Sequence, residues 1–270
     1  MKKGLCSVLA LALLVSAAVL FASCAKEEAK PTLICGVTNF DPMNYKDAGG
    51  NWTGFDTEFA QLVGEKLGME VKFQEIEWPQ KYNELAAGTI DCIWNGFTAN
   101  SNEEDGTARK DLVDFTYSYM LNQQCIVVKA ANKIAYTSPE SIADKIVAVE
   151  DGSAGDSYAT EQISKGDGKI IDAASQISTL PEVKSGAADC AVIDVLLAKS
   201  MTGKGDYADL AIADVELPAE VYAIGFAKGS DLTAKVNDTI KALDTEGKLA
   251  ELAEKYGLKN SYLLDTAFAG

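Results

Sequence analysis

Leu85-Ala86-Ala87-Gly88-Thr89-Ile90-Asp91-Cys92 and Val183-Lys184-Ser185-Gly186-Ala187-Ala188-Asp189-Cys190 match residue class for residue class. Each reads as a helix end, a glycine turn and the start of a buried strand. Gly-x-x-Asp alone is common turn chemistry. A match over eight positions instead suggests two similar α/β units whose equivalent strands deliver residues to comparable places. In open parallel sheets, ligands bind beyond the carboxyl ends of the strands. The candidates are therefore Trp94-Asn95-Gly96-Phe97-Thr98 after the first strand and Asp194 after the second.

Working outward, strand and helix patterns alternate. An apolar run at 33–37 precedes a turn-rich segment. Phe55, Phe59, Leu62, Val63 and Leu67 recur at helical spacing and stop at Gly68, a C-terminal cap. Val71 and Phe73 alternate as a strand, a second helical stripe ends at Gly88, and 90–94 is a buried strand. The second half repeats the scheme. Ser138-Pro139 opens a short helix, 146–149 and 169–171 are strands, and 152–163 is a turn entering a helix. A helix then ends at Gly186 before the strand at 190–193, and Pro181 is expected to kink that helix or shift its start. Alternation of this kind predicts an α/β protein with parallel sheets and helical crossovers.

Composition excludes several functions. Among 270 residues there is no histidine, so a Ser-His-Asp triad, a Cys-His pair and the usual zinc sites are unavailable. A formal charge of −16 argues against a phosphate-gripping nucleic-acid binder. A 47% hydrophobic and 24% charged composition is that of an ordinary globular chain. No cofactor or metal motif is present in the sequence.

Lys2 and Lys3 precede an apolar run from Leu5 to Phe21, the order of a secretory signal. Ala22-Ser23-Cys24 then reads as a bacterial lipobox, with 1–23 the signal peptide, Cys24 the lipidated residue and 24–30 a tether. The alternative is an uncleaved membrane anchor. Either way the chain is exported and held to the membrane at its N-terminus, on the periplasmic or cell-surface side. Loss of 1–23 moves the formal charge from −16 to −18, which keeps the body off anionic lipid. Cys35, Cys92, Cys125 and Cys190 sit in apolar runs and read as core residues, although an exported compartment permits disulfides.

GVTNFDPMNYKDAGGNWTGFDTEFAQLVGEKLG (36–68), FQEIEWPQKYNELAAGTIDCIWNGFT (73–98) and VDFTYSYM (113–120) resemble the polar amino-acid-binding proteins of ABC importers, the extracellular solute-binding proteins of family 3. The resemblance continues through KIVAVEDGSAGDS, ADCAVIDV, YAIGFAKGSD and GKLAELAEKYG, in order along the mature chain. It implies a two-lobed, type II periplasmic-binding-protein fold of Venus-flytrap kind with two crossover strands. Lobe 1 would comprise 31–120 and 222–270 and lobe 2 121–221, with crossovers near 119–124 and 220–222.

The resemblance also implies site residues. Phe40, or Tyr45 in its place, and Trp78 would sandwich the ligand side chain. Asn95, Gly96 and Thr98 would bond its α-amino and α-carboxylate groups. Ser153, Ala154 and Gly155 would present a helix N-terminus to the carboxylate, with Ala154 where relatives often carry Ser or Thr. Asp194 would pair with the ammonium. Thr38, Asp41, Glu77 and Glu150 are candidates for reading the side chain, and the acidic ones suit a basic ligand. No lysine is seen to point at the slot.

Relatives carry an arginine five residues after the Thr98 position, where this chain has Glu103. Counting back from Asp114-Phe115 places Arg109, the chain's one arginine, in the expected position behind about six extra residues within 100–108. Its planar fork suits a carboxylate as lysine does not. The expected partners are a free polar or basic amino acid and an ABC permease in the membrane, with the protein itself a monomer and not an enzyme. Competing classes are a ligand-presenting sensory protein and a dehydratase using Glu77 or Glu150 as acid/base. Arg109→Ala is expected to weaken amino-acid binding by about one to two orders of magnitude, the value of a charged hydrogen bond, as measured by calorimetry.

Overall fold

The two Gly-x-x-Asp segments perform one task in two different sheets. In the computed structural model, which describes residues 30–267, Gly88 and Gly186 both end helices in the left-handed region, at φ 71° and 86°. Asp91 then exchanges hydrogen bonds with Ile34. Its N–H donates to the Ile34 carbonyl (2.8 Å) and its carboxylate accepts from the Ile34 N–H (2.7 Å). Asp189 and Ile146 repeat the exchange at 2.8 and 2.9 Å. Each aspartate thus satisfies a backbone donor of the neighbouring strand, the third residue of Thr32–Val37 for Asp91 and the first of Ile146–Glu150 for Asp189.

The first elements are β1 (Thr32–Val37), the hairpin β2 (Tyr45–Lys46) and β3 (Trp52–Thr53), α1 (Phe55–Leu67), β4 (Glu70–Glu75), a 3-10 turn (Trp78–Gln80) and α2 (Lys81–Ala87). β5 (Cys92–Ile93), the short α3 (Arg109–Leu112) and β6 (Asp114–Phe115) lead into the long β7 (Ser118–Lys129). Then come β8 (Ile146–Glu150), α4 (Ala154–Ile163), β9 (Lys169–Ala173), α5 (Gln176–Ser185), β10 (Cys190–Asp194), α6 (Val195–Met201) and β11 (Leu210–Ile212). The chain closes with β12 (Ala219–Tyr222), β13 (Gly225–Phe226), α7 (Asp231–Thr245), α8 (Lys248–Lys255) and β14 (Tyr262–Asp265).

One sheet has the order β4-β1-β5-β13-β6, and the other β11-β7-β10-β8-β9. The β1–β4, β1–β5, β8–β9 and β8–β10 pairs are parallel, as helical crossovers require. Both sheets are nevertheless mixed. β13 lies antiparallel to β5 and β6, and β7 antiparallel to β10 and β11. The departures fall on the strands by which the chain leaves one unit and returns. β7 pairs β12 through Met120↔Tyr222 to Gln123↔Ala219, then continues alongside β10 from Gln124↔Asp194.

Pro181 neither ends α5 nor shifts its start, because Ser175 caps the helix from outside and Pro181 costs one interior N–H. Cys35, Cys92, Cys125 and Cys190 are buried thiols, with Cys35 and Cys92 in register on adjacent strands. α1 packs its apolar stripe into an aromatic knot. Phe59 meets Trp94 edge-on at 5.1 Å and Tyr119 at 5.3 Å between centroids. This knot lies directly beneath the loop after β5. Phe59→Ala should therefore destabilise the protein by about 3–5 kcal/mol, measured by chemical denaturation.

Candidate functional site

The carboxyl ends of β5 and β10 converge on one narrow cavity with about 10 Å³ of space open to a water-sized sphere, roughly one water molecule in this conformation. Trp78, Asn95, Gly96, Thr98 and Arg109 line it from one side. Glu150, Ser153, Ala154, Gln176 and Asp194 line it from the other.

Arg109 is positioned by the stretch that the resemblance marks as extra. This stretch closes as a hairpin. Asn102 bridges Ala108, the Glu103 N–H donates to the Thr107 carbonyl and the Gly106 N–H to the Glu103 carbonyl, both at 2.9 Å. The turn returns Glu103 to Arg109, whose Nε donates to Glu103 Oε1 at 2.8 Å. Of the remaining guanidinium nitrogens, Nη1 donates to the Thr98 carbonyl on the same side (3.2 Å) and Nη2 to the Gly152 carbonyl opposite (3.4 Å). The Phe97 ring lies 5.2 Å from Arg109 Cζ. The arginine is 1% exposed.

Lys81, absent from the sequence reading, is equally buried. Its ammonium donates to the same Gly152 carbonyl at 3.0 Å, reaches Glu103 at 3.5 Å, and lies over the Trp78 and Tyr82 rings. Burial, then the Arg109 charge, lowers its pKa to about 8. The signal in the sequence is a lysine between Trp78 and Tyr82 at a helix start.

Asp194 lies buried at the end of β10, where it lines the cavity and is held by side-chain amides. Its carboxylate accepts from Asn122, Gln124 (2.7 Å) and Gln176, while its N–H donates to Gln176 Oε1 at 2.9 Å. The same Asn122 and Gln124 amides also donate to Glu220 Oε2 at 2.9 and 3.0 Å, and Thr98 adds its hydroxyl at 3.2 Å. Glu220, Gln176, Asn122 and Gln124 escaped the sequence reading. Asn122-Gln123-Gln124, a polar interruption of an apolar strand, was the available signal.

Gly96 has φ 57°, and a Cβ there would lie 2.6 Å from Phe40 Cε1. Its N–H donates to Asp56 Oδ2 at 2.7 Å. Asn95 Nδ2 donates to the Thr38 hydroxyl at 2.6 Å. In this conformation Gly96, Asn95 and Thr98 thus each donate to a protein partner. Asp56, a further residue the sequence reading missed, organises the loop from α1.

Phe40 is not exposed. It is 2% accessible, edge-on to Tyr222 and behind Gly96, because the short loop after β1 folds back through the Phe40–Asn44 bridge. Thr38, Asp41, Glu77 and Gly155 are likewise outside the cavity lining. Thr38 supports Asn95, and the Asp41 carbonyl accepts from Ser200 at 3.2 Å. Glu77 faces a separate hollow with Asp151 and Asp172. Gly155 serves packing, since a Cβ would sit 2.7 Å from the Val192 carbonyl. Tyr45 lies in the β2–β3 hairpin. Ser153 caps α4, its hydroxyl accepting from the Asp156 N–H at 3.0 Å. Cys24 and the 1–23 leader lie outside the described residues.

Two α/β units, two linking strands and a buried polar cavity at the facing strand ends define a two-lobed binding protein of the type II periplasmic kind. The chain belongs to the bacterial extracellular solute-binding proteins, family 3, whose model matches residues 33–259. It is 30% identical over 256 residues to the arginine-binding extracellular protein ArtP of Bacillus subtilis (strain 168), across 91% of this chain and 96% of that protein. Among solved structures it is similar to an ancestral arginine-binding protein bound to arginine (TM-score 0.78, 28% identity, 85% of this chain and 99% of that one). An ancestral arginine-binding protein bound to glutamine is also similar (TM-score 0.75, 29% identity, 85% and 99%).

Burial raises the carboxyl groups around the cavity. Glu150 is pushed up to about 8 by burial and then by Asp194. The same two causes raise Glu220 to about 7, and burial raises Asp56 to about 7. The folded protein therefore holds protons that the unfolded chain has released above about pH 4.5. Stability should accordingly fall as pH rises from about 5 to 8, through the raised folded-state values, as urea midpoints across that range will register.

Proposed function

We propose that this protein is the extracytoplasmic substrate-binding component of an amino-acid ABC importer and that its ligand is a free basic L-amino acid. The observation that carries the ligand class is Glu150. Its carboxylate is 3% exposed, lines the cavity, and has an Oε1 with no hydrogen-bond partner. Asp194 supplies a second carboxylate on the same wall, whereas the guanidinium opposite is already paired with Glu103. Two buried carboxylates suit a ligand carrying two cationic groups, against one of which Glu150, held protonated to about pH 8 by burial, would ionise.

In this reading Asp194 takes the α-ammonium and Glu150 the side-chain cation, against the face of Trp78. Arg109 and the α4 N-terminus at Ser153-Ala154 take the α-carboxylate. Lobe 1 comprises 31–120 and 222–270 and lobe 2 comprises 121–221. A ligand held by both lobes shifts the population towards the closed form, which docks on a membrane permease. The protein binds without turnover, as a monomer tethered through lipid at Cys24.

Isothermal calorimetry with L-arginine, L-lysine, L-glutamine and L-glutamate tests the reading. Arginine or lysine should bind most tightly and glutamate least. Glu150→Gln should weaken arginine about tenfold or more while leaving glutamine little changed. Tighter binding of glutamate than arginine, or no binding by any of the four, rejects the proposal.

A further inference from the structure

We infer that Glu103 is the positioning residue of the cleft: the carboxylate returned by the 102–108 hairpin sets the orientation in which Arg109 meets the ligand and the opposite lobe. The inference rests on the amino-acid-binding reading only for what Arg109 grips.

A guanidinium at 1% exposure needs a counter-charge within the protein, and Glu103 Oε1 at 2.8 Å supplies it. The pairing uses Nε, the nitrogen nearest the aliphatic stem. With Nε–H held, the guanidinium plane cannot swing about its last bond, and the terminal nitrogens point to the Thr98 and Gly152 carbonyls. Three of five N–H donors are then engaged, and two remain for a ligand carboxylate.

Glu103 is itself fixed. The Tyr82 hydroxyl donates to Oε1 at 2.7 Å, and Lys81 approaches Oε2 at 3.5 Å. It also separates two like charges. Lys81 and Arg109 both donate to the one Gly152 carbonyl, so without Glu103 two buried cations would face each other with no anion between them. Burial opposes ionisation of Glu103, yet Arg109 and Lys81 hold its carboxyl below the ordinary value.

The chain's one arginine makes the test direct, because 15N-labelled protein should give a single arginine Nε–H resonance. In the wild type this proton should exchange slowly with solvent. Glu103→Gln, which keeps shape and removes charge, should speed its exchange about tenfold or more and speed L-arginine dissociation about tenfold. If Glu103→Gln does not fold, Tyr82→Phe, which removes only the hydroxyl holding Glu103, should move both rates in the same direction by a smaller factor. Unaltered exchange, or dissociation within twofold of wild type, overturns the inference. So does a lowered melting midpoint with both rates unchanged. Should the wild type bind no amino acid, the functional reading fails, and the exchange rate alone decides the role of Glu103.

Discussion

The cleft is governed by one constraint: charge taken out of water must meet opposite charge or hydrogen-bond partners at contact distance. Arg109 and Lys81 are buried together, and both depend on Glu103 and on the single Gly152 carbonyl reached from across the cavity. Asp194 and Glu220 are buried on the other side and depend on three amides, two of which each donate to both carboxylates. Neither arrangement is a cheap source of stability, since desolvation offsets much of the attraction. Both give the cavity a definite charge pattern and make its walls stiff. Glu150 Oε1 has no hydrogen-bond partner, and neither do Asp56 Oδ1, Asn122 Oδ1 and Gln124 Oε1, so the compensation is incomplete.

The two sheets support this chemistry in equivalent ways. Asp91 and Asp189 tie the entry of one strand to its neighbour, after which the strands run through the core and end at Asn95-Gly96 and at Asp194. β7 and β12 join the units as an antiparallel pair. They also carry Asn122, Gln124 and Glu220, so the strands about which the lobes would move are wired into the binding residues. Strain within the site is confined to glycine. Gly96 and Gly152 have positive φ, and Gly96 lets the loop pass against Phe40.

Much of this was readable from residue order. The α1 stripe ending at Gly68, the glycine turns and the strand-end position of Asp194 follow from local rules that act over a few residues, whereas the placing of Arg109 by counting back from Asp114-Phe115 rests on the family resemblance. Lys81, Gln176, Glu220 and Asp56 did not emerge, because each is polar in a segment where polar residues ordinarily face water. Phe40 shows the converse. Its polar neighbours Asn39 and Asp41 suggest an exposed loop, but the Phe40–Asn44 bridge turns the ring inward onto Tyr222.

The sequence by itself determined the alternation of elements, the repeated turn-and-strand unit, the family and the residue types available for binding. Each depends on spacing along the chain, through helical and strand periodicity, glycine conformations and motif order. Only the tertiary structure decided which charges are paired. Glu103 meets Arg109 because a hairpin reverses the chain between them, and Lys81 meets Gly152 across 71 residues. Gln124 meets Asp194 across 70 because β7 and β10 lie side by side. Electrostatic compensation works over a few ångströms of space and takes no account of distance along the chain.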